Sequence, residues 1–133
     1  MRLPIVSLTF ALPAVAVVLC ASGCAADPAG PARTAERFHA ELSAHREESA
    51  CALLARVTAE QLPDPGQSCA DALRELRLDA GGPVRAVSVW GEDAQVRMAG
   101  DTLFLHRYAD GWRVRAAGCA PVPGRPYDCD VEG

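Results

Sequence analysis

From Leu3 to Leu19 the chain has no charge and, apart from Ser7, Thr9 and two prolines, only apolar residues, and a single cation, Arg2, precedes it. A short positive start, an apolar stretch and an exit through small residues make a secretory pattern. This feature constrains everything after it. Residues 1–23 leave the fold as a signal peptide, and the remainder folds outside the cytoplasm, where thiols oxidise. That remainder, residues 24–133, is enough for one small domain. The whole chain has a formal charge of −4, one more negative once Arg2 is gone. A mildly acidic surface suits nucleic acid poorly, so no nucleic-acid partner is expected. Every Lys/Arg position is Arg, no Asn occurs and the sole Ile is Ile5. That bias fits GC-rich coding, so the many arginines and alanines carry little functional weight by themselves.

The exit of the signal, Ala21-Ser22-Gly23-Cys24, resembles the lipobox of bacterial lipoproteins, although Ala21 stands where such boxes more often have Leu. The resemblance implies cleavage before Cys24 and a diacylglycerol on its thiol. The mature protein would then be lipid-anchored at the extracytoplasmic face of the cell membrane. Two other readings stay open: cleavage near Cys24-Ala25-Ala26 by an ordinary signal peptidase, or an uncleaved span, for which ~20 apolar residues suffice. Pro4 and Pro13 argue against a stable spanning helix. All three readings put the domain outside the cytoplasm.

Export turns the remaining cysteines into staples. Cys20 leaves with the signal and Cys24 takes lipid, so Cys51, Cys69, Cys119 and Cys129 remain, with three connectivities open. Local pairing, Cys51–Cys69 and Cys119–Cys129, is expected because each pair falls within one stretch of chain. A domain this small, with only 5% aromatic residues, needs such cross-links. A metal or redox site is not expected, since C-x-x-C and paired histidines are absent, and no cofactor motif occurs.

Residues 24–33, with Pro28, Gly30 and Pro31, read as a tether, and residues 34–133 as a single domain. Thr34 is placed as the cap of a first helix in which Ala35, Phe38, Leu42 and His45 share a stripe. A second apolar stretch runs from Ser49 to about Val57, with one further turn to Leu62. Ser68 and Asp71 form a capping arrangement for a third helix through Leu78. The period then changes to two. Val84–Trp90, Ala94–Ala99, Thr102–Ala109 and Trp112–Ala117 read as four strands of an antiparallel meander. Two-residue turns would pair Ala99 with Thr102 and Ala109 with Trp112. Val96, Met98, Leu103, Leu105, Trp112 and Val114 would then share one face with Arg107, and residues after Ala117 would form a tail. The expected fold class is α+β, with the helices packed on the apolar face of a curved four-stranded sheet.

The run from Cys51 to Ala55, Ser68-Cys69-Ala70-Asp71-Ala72-Leu73, Val89-Trp90-Gly91, Asp110-Gly111-Trp112-Arg113-Val114, Gly118-Cys119 and Pro126-Tyr127-Asp128-Cys129 resemble a family of small, uncharacterised actinobacterial lipoproteins. Those proteins look like members of the nuclear transport factor 2-like (cystatin-like) superfamily. The resemblance implies a cone-like sheet enclosing helices, and implies no activity, because that fold hosts enzymes and binding modules alike.

The opposite sheet face would carry Gln95, Arg97, Phe104, His106, Tyr108, Arg113 and Arg115. Of these, Arg97, Phe104, His106, Tyr108, Arg113 and Arg115 are candidates for an aromatic and cationic face that meets a small anionic ligand or an acidic partner segment. The acidic tail (Asp128, Asp130, Glu132) could cover that face instead. Relatives in the superfamily that work as isomerases or cyclases keep an ionisable group inside the cone. Here only His45 and Arg107 fall on the inner face; Arg is a poor base, and Asp101 and Asp110 are assigned to turns. The expectation is therefore a noncatalytic binding or accessory module of the cell envelope. The alternative is a small enzyme of isomerase or cyclase type with a pocket near His45.

Overall fold

The computed structural model describes residues 26–133; the signal segment and Cys24 lie outside the described residues. Four helices come first: α1 (Ala29–Ser43), α2 (Glu47–Cys51), α3 (Arg56–Gln61) and α4 (Cys69–Leu76). Five strands follow, β1 (Val84–Trp90), β2 (Asp93–Met98), β3 (Thr102–Tyr108), β4 (Gly111–Val122) and β5 (Arg125–Glu132), in an antiparallel sheet of order β1-β2-β3-β4-β5. The α+β class and the helices-then-meander order agree with the sequence, but the sheet has five strands rather than four.

Helix α1 starts six residues earlier than expected, with Pro28 rather than Thr34 at the cap position. Pro28 and Pro31 stand at its N-terminal end, where a missing N–H costs nothing and the fixed φ suits a helix, and the Asp27 carboxylate accepts from the Ala29 N–H at 2.9 Å. Thr34 is therefore inside the helix, its hydroxyl donating to the Gly30 carbonyl at 3.3 Å. The buried stripe is Pro31, Ala35, Phe38 and His39, with Leu42 packed against the core. His45 is not part of it. The helix ends at Ser43, and His45, at φ 54°, turns its side chain out to 90% exposure.

Ser68 caps α4 as expected, its hydroxyl accepting from the Asp71 N–H at 3.1 Å. Between α2 and α3 the chain straightens. Val114 donates to the Leu53 carbonyl at 2.9 Å and accepts from the Ala55 N–H at 2.7 Å. This short parallel bridge covers the edge of β4 beyond Ala116, where its pairing with β5 ends.

The strands pair in a register shifted from expectation. Thr102 faces Arg97 rather than Ala99, and Trp112 faces Arg107 rather than Ala109. Both shifts are two residues, the side-chain period of a strand, so the residues up to Val114 keep their faces; the bulge opposite Phe104 and Leu105 then turns Ala117 rather than Ala116 inward. Val96, Leu103, Leu105 and Val114 are fully buried and Met98 nearly so, while Arg107 lies 5.9 Å from the centre of the Trp112 ring. Phe38 is the one aromatic ring among the fully buried side chains of the described residues. Its truncation to Ala would remove about 3–5 kcal/mol.

The stretch expected to be a tail is the fifth strand. Pro123-Gly124, with Gly124 at φ 69°, forms the turn between paired Val122 and Arg125, an arrangement that suits Pro and Gly at the two central positions of a type II turn. The disulfides join Cys51 to Cys69 and Cys119 to Cys129. The first ties α2 to α4; the second ties β4 to β5 at directly facing positions.

Candidate functional site

Among the described residues the helices lie on one face of the sheet, and the other face has none. The candidate residues stand there as follows. Phe104 and His106 of β3 are half-buried; Arg97, Tyr108 and Arg115 are exposed. Asp93 faces His106 across the β2–β3 pair, and its carboxylate accepts from His106 Nδ1 at 2.7 Å. The His106 ring meets Tyr108 edge-on at 4.8 Å. Tyr127 of β5 packs edge-on to Phe104 at 5.1 Å, and Arg115 donates to the Gly133 carbonyl at 3.2 Å. The C-terminal segment thus covers part of this face, through Tyr127 and Gly133.

Arg113 is withdrawn from the group. Its guanidinium donates to the Ala52 carbonyl and, at 2.7 Å, to Asp110, so it pins the β3–β4 turn to the end of α2. The hydrogen bond from Arg113 holds the Asp110 carboxyl below its usual range. What remains open is a cleft of ≈300 Å³ lined by Trp90, Phe104, Leu105, Arg115, Ala116 and Glu132 among others. Trp90, which the sequence reading left out of the face, is 52% exposed. It faces Asp93 across the β1–β2 pair, a position that marks it as an outward residue once the register is known. A second cleft, ≈480 Å³, runs along the β4 edge between the Cys51–Ala59 segment and the β3–β4 turn, with Tyr108 and Arg56 on its walls.

The buried ionisable pair of the fold was missed. His39, on α1, has its Nε2 2.7 Å from Asp101 Oδ2, with side chains 6% and 3% exposed. A carboxylate can only accept, so Nε2 carries the proton. The other Asp101 oxygen accepts from the Cys119 N–H at 3.2 Å. Asp101 therefore joins α1, the β2–β3 turn and β4, and is more than a turn former. Such a pair has the composition of an acid–base dyad, but it is sealed in the packing between helix and sheet. His45, proposed for a pocket, lines only an open groove with Arg46, Glu47, Glu48, Ser49 and Arg74.

Among the described residues no cluster of His, Cys, Asp or Glu is arranged to hold a metal, and no helix is long and apolar enough to cross a membrane. No family model, no curated protein and no solved structure matches the chain.

Proposed function

We propose that the chain is exported, lipidated on Cys24 and held at the extracytoplasmic face of the cell membrane as a noncatalytic binding or accessory module. The observation that carries the binding role is the helix-free sheet face, where Trp90, Phe104 and Arg115 wall an open cleft. Aromatic faces beside a guanidinium suit a small anionic ligand or an acidic segment of an envelope protein. The sealing of His39 and Asp101 away from solvent supports a role without acid–base chemistry. The two local disulfides support folding in an oxidising compartment. The likeness to the cone-shaped nuclear transport factor 2-like fold belongs to the same reading: helices packed on one face of a meander are its main ingredients.

Two measurements test the reading. Cells fed a radioactive fatty acid should label the wild type and not Cys24→Ala; equal labelling would remove Cys24 as the anchor. Tagged protein recovered from native membranes should retain a ligand or partner that Phe104→Ala with Arg115→Glu loses. Equal retention by that variant would move the binding site off this face.

A further inference from the structure

Helix α1 gives the domain two unlike ends. At its start, Gly30 lies so close to Trp112 that a Cβ there would come within 2.7 Å of the indole nitrogen. Further along, His39 meets Asp101 beside the opposite turn of the meander. The helix thus runs from the β3–β4 turn past the β2–β3 turn, and its 15 residues span roughly 22 Å.

The β1–β2 turn sits at the same end as the start of α1, since Arg107 donates from its backbone to the Glu92 carbonyl at 2.7 Å. That end holds the two exposed aromatic side chains of the described residues, Trp90 at 52% and Tyr108 at 40%. It also holds Arg33 and Arg107, both exposed and neither with a carboxylate partner among the described residues. Of the carboxylates there, Asp110 is engaged by Arg113 and Asp93 by His106, while Glu92 in the β1–β2 turn is 63% exposed and 3.9 Å from His106 Nε2. Beyond the other end of α1, Glu47 is buried 3.6 Å from the Arg74 guanidinium and Glu48 is exposed.

If Cys24 carries the lipid, as proposed above, residues 24–28 are all that separates the anchor from α1. Five residues reach at most ~18 Å whatever path they take, so the start of α1 stays within a short distance of the headgroups. Exposed Trp and Tyr side chains favour that interfacial depth, and cations near an anionic leaflet are drawn toward it.

We propose that the domain does not swing freely on its tether but rests with this end against anionic phospholipid headgroups. Arg33 and Arg107 meet phosphates there, Trp90 and Tyr108 sit at the interface, and the mouth of the Trp90–Phe104–Arg115 cleft opens beside the membrane surface. The proposal rests on anchoring at Cys24 and adds orientation to it.

Full-length protein, expressed and purified from membranes, is reconstituted into vesicles of phosphatidylcholine alone or mixed with phosphatidylglycerol, with brominated acyl chains as a quencher. Tryptophan emission should be quenched in the mixed vesicles and much less in phosphatidylcholine alone, and Trp90→Phe should remove most of the effect. Arg33→Gln with Arg107→Gln should lower the ratio of resting to lifted domains by about fivefold per arginine. Raising the salt concentration should reproduce that loss in the unaltered protein, so the result does not depend on how the variant folds. Quenching that is absent, or equal in both lipids and unmoved by salt, overturns the orientation. Flotation with the vesicles separates the two ideas. Protein that floats yet shows no lipid-dependent quenching defeats only the orientation, whereas floating wild-type protein that carries no fatty-acid label on Cys24 defeats the anchoring and the proposal built on it.

Discussion

Replacing Asp101 by Ala should be among the most damaging single changes a turn residue of this chain can suffer. The carboxylate is 3% exposed and accepts from two donors, His39 Nε2 at 2.7 Å and the Cys119 N–H at 3.2 Å. Its removal leaves both donors buried without an acceptor. An orphaned buried donor costs about 1–3 kcal/mol; with partial relaxation, the two together amount to about 3 kcal/mol. For a domain of this size that lowers the midpoint of thermal unfolding by roughly 15 °C. The assay is urea and thermal unfolding near neutral pH with the disulfides intact, beside Asp79→Ala, an exposed carboxylate expected to change stability by less than about 0.5 kcal/mol. A cycle with His39→Ala sharpens the test, because partners in one hydrogen bond should couple by about 1 kcal/mol or more. A loss below about 1 kcal/mol for Asp101→Ala, or additivity with His39→Ala, would refute the claim that this carboxylate pins the helix to the sheet.

Closing the 18-residue separation of Cys51 and Cys69 is worth about 3.2 kcal/mol on loop entropy, and the 10-residue separation of Cys119 and Cys129 about 2.7 kcal/mol. Replacing the first pair by Ala should therefore lower the thermal midpoint more than replacing the second, and the reverse order would show that pinning β5 matters more than clamping α2 to α4. Gly81→Ala should cost about 1–3 kcal/mol by overpacking, because its Cβ would fall 2.6 Å from the His39 ring; unchanged urea stability would contradict that contact. The carboxyls of Asp71 and Glu41 are held low by hydrogen bonds from Ser68 and Arg46 respectively, as Asp110 is by Arg113. Carboxyls depressed in the folded state lend stability that is present above their ordinary values, near 4, and is lost as pH falls through the lowered ones. The urea midpoint should accordingly drop below about pH 4, less steeply in Asp71→Asn, and an identical slope in that variant would count against the pairing.

The inner face of the sheet was legible because alternation survives an error of two residues. Thr102 was matched to the wrong partner, yet Val96, Leu103 and Leu105 still came out on the buried side. The disulfide partners were legible from local spacing alone. The start of α1 was hidden because Pro28, Gly30 and Pro31 read as tether, although proline at a helix start signals a beginning. Strand β5 was hidden by the same residue types. Pro121, Pro123, Gly124 and Pro126 read as a tail, when Pro123-Gly124 was the turn of one more hairpin. The His39–Asp101 pair could not be seen, since it depends on where α1 crosses the sheet. His45 had the better helical spacing, and only the helix end at Ser43 removes it. On the candidate face the residues lie where alternation put them, but Arg113 turned out to be structural.

Strand β5 forms one border of the sheet, and its unpaired backbone groups are a template on which another chain could add a strand. If the chains are held on a membrane, as proposed, the hazard is sharper than in solution, because they are then confined to two dimensions and meet often. Asp128, Asp130 and Glu132 recur at every second position of that border, so two such strands approaching each other would bring rows of like charge together. Pro126 also withholds a backbone donor from the row. A stretch that looks in sequence like an acidic afterthought thus helps neighbouring copies remain separate molecules.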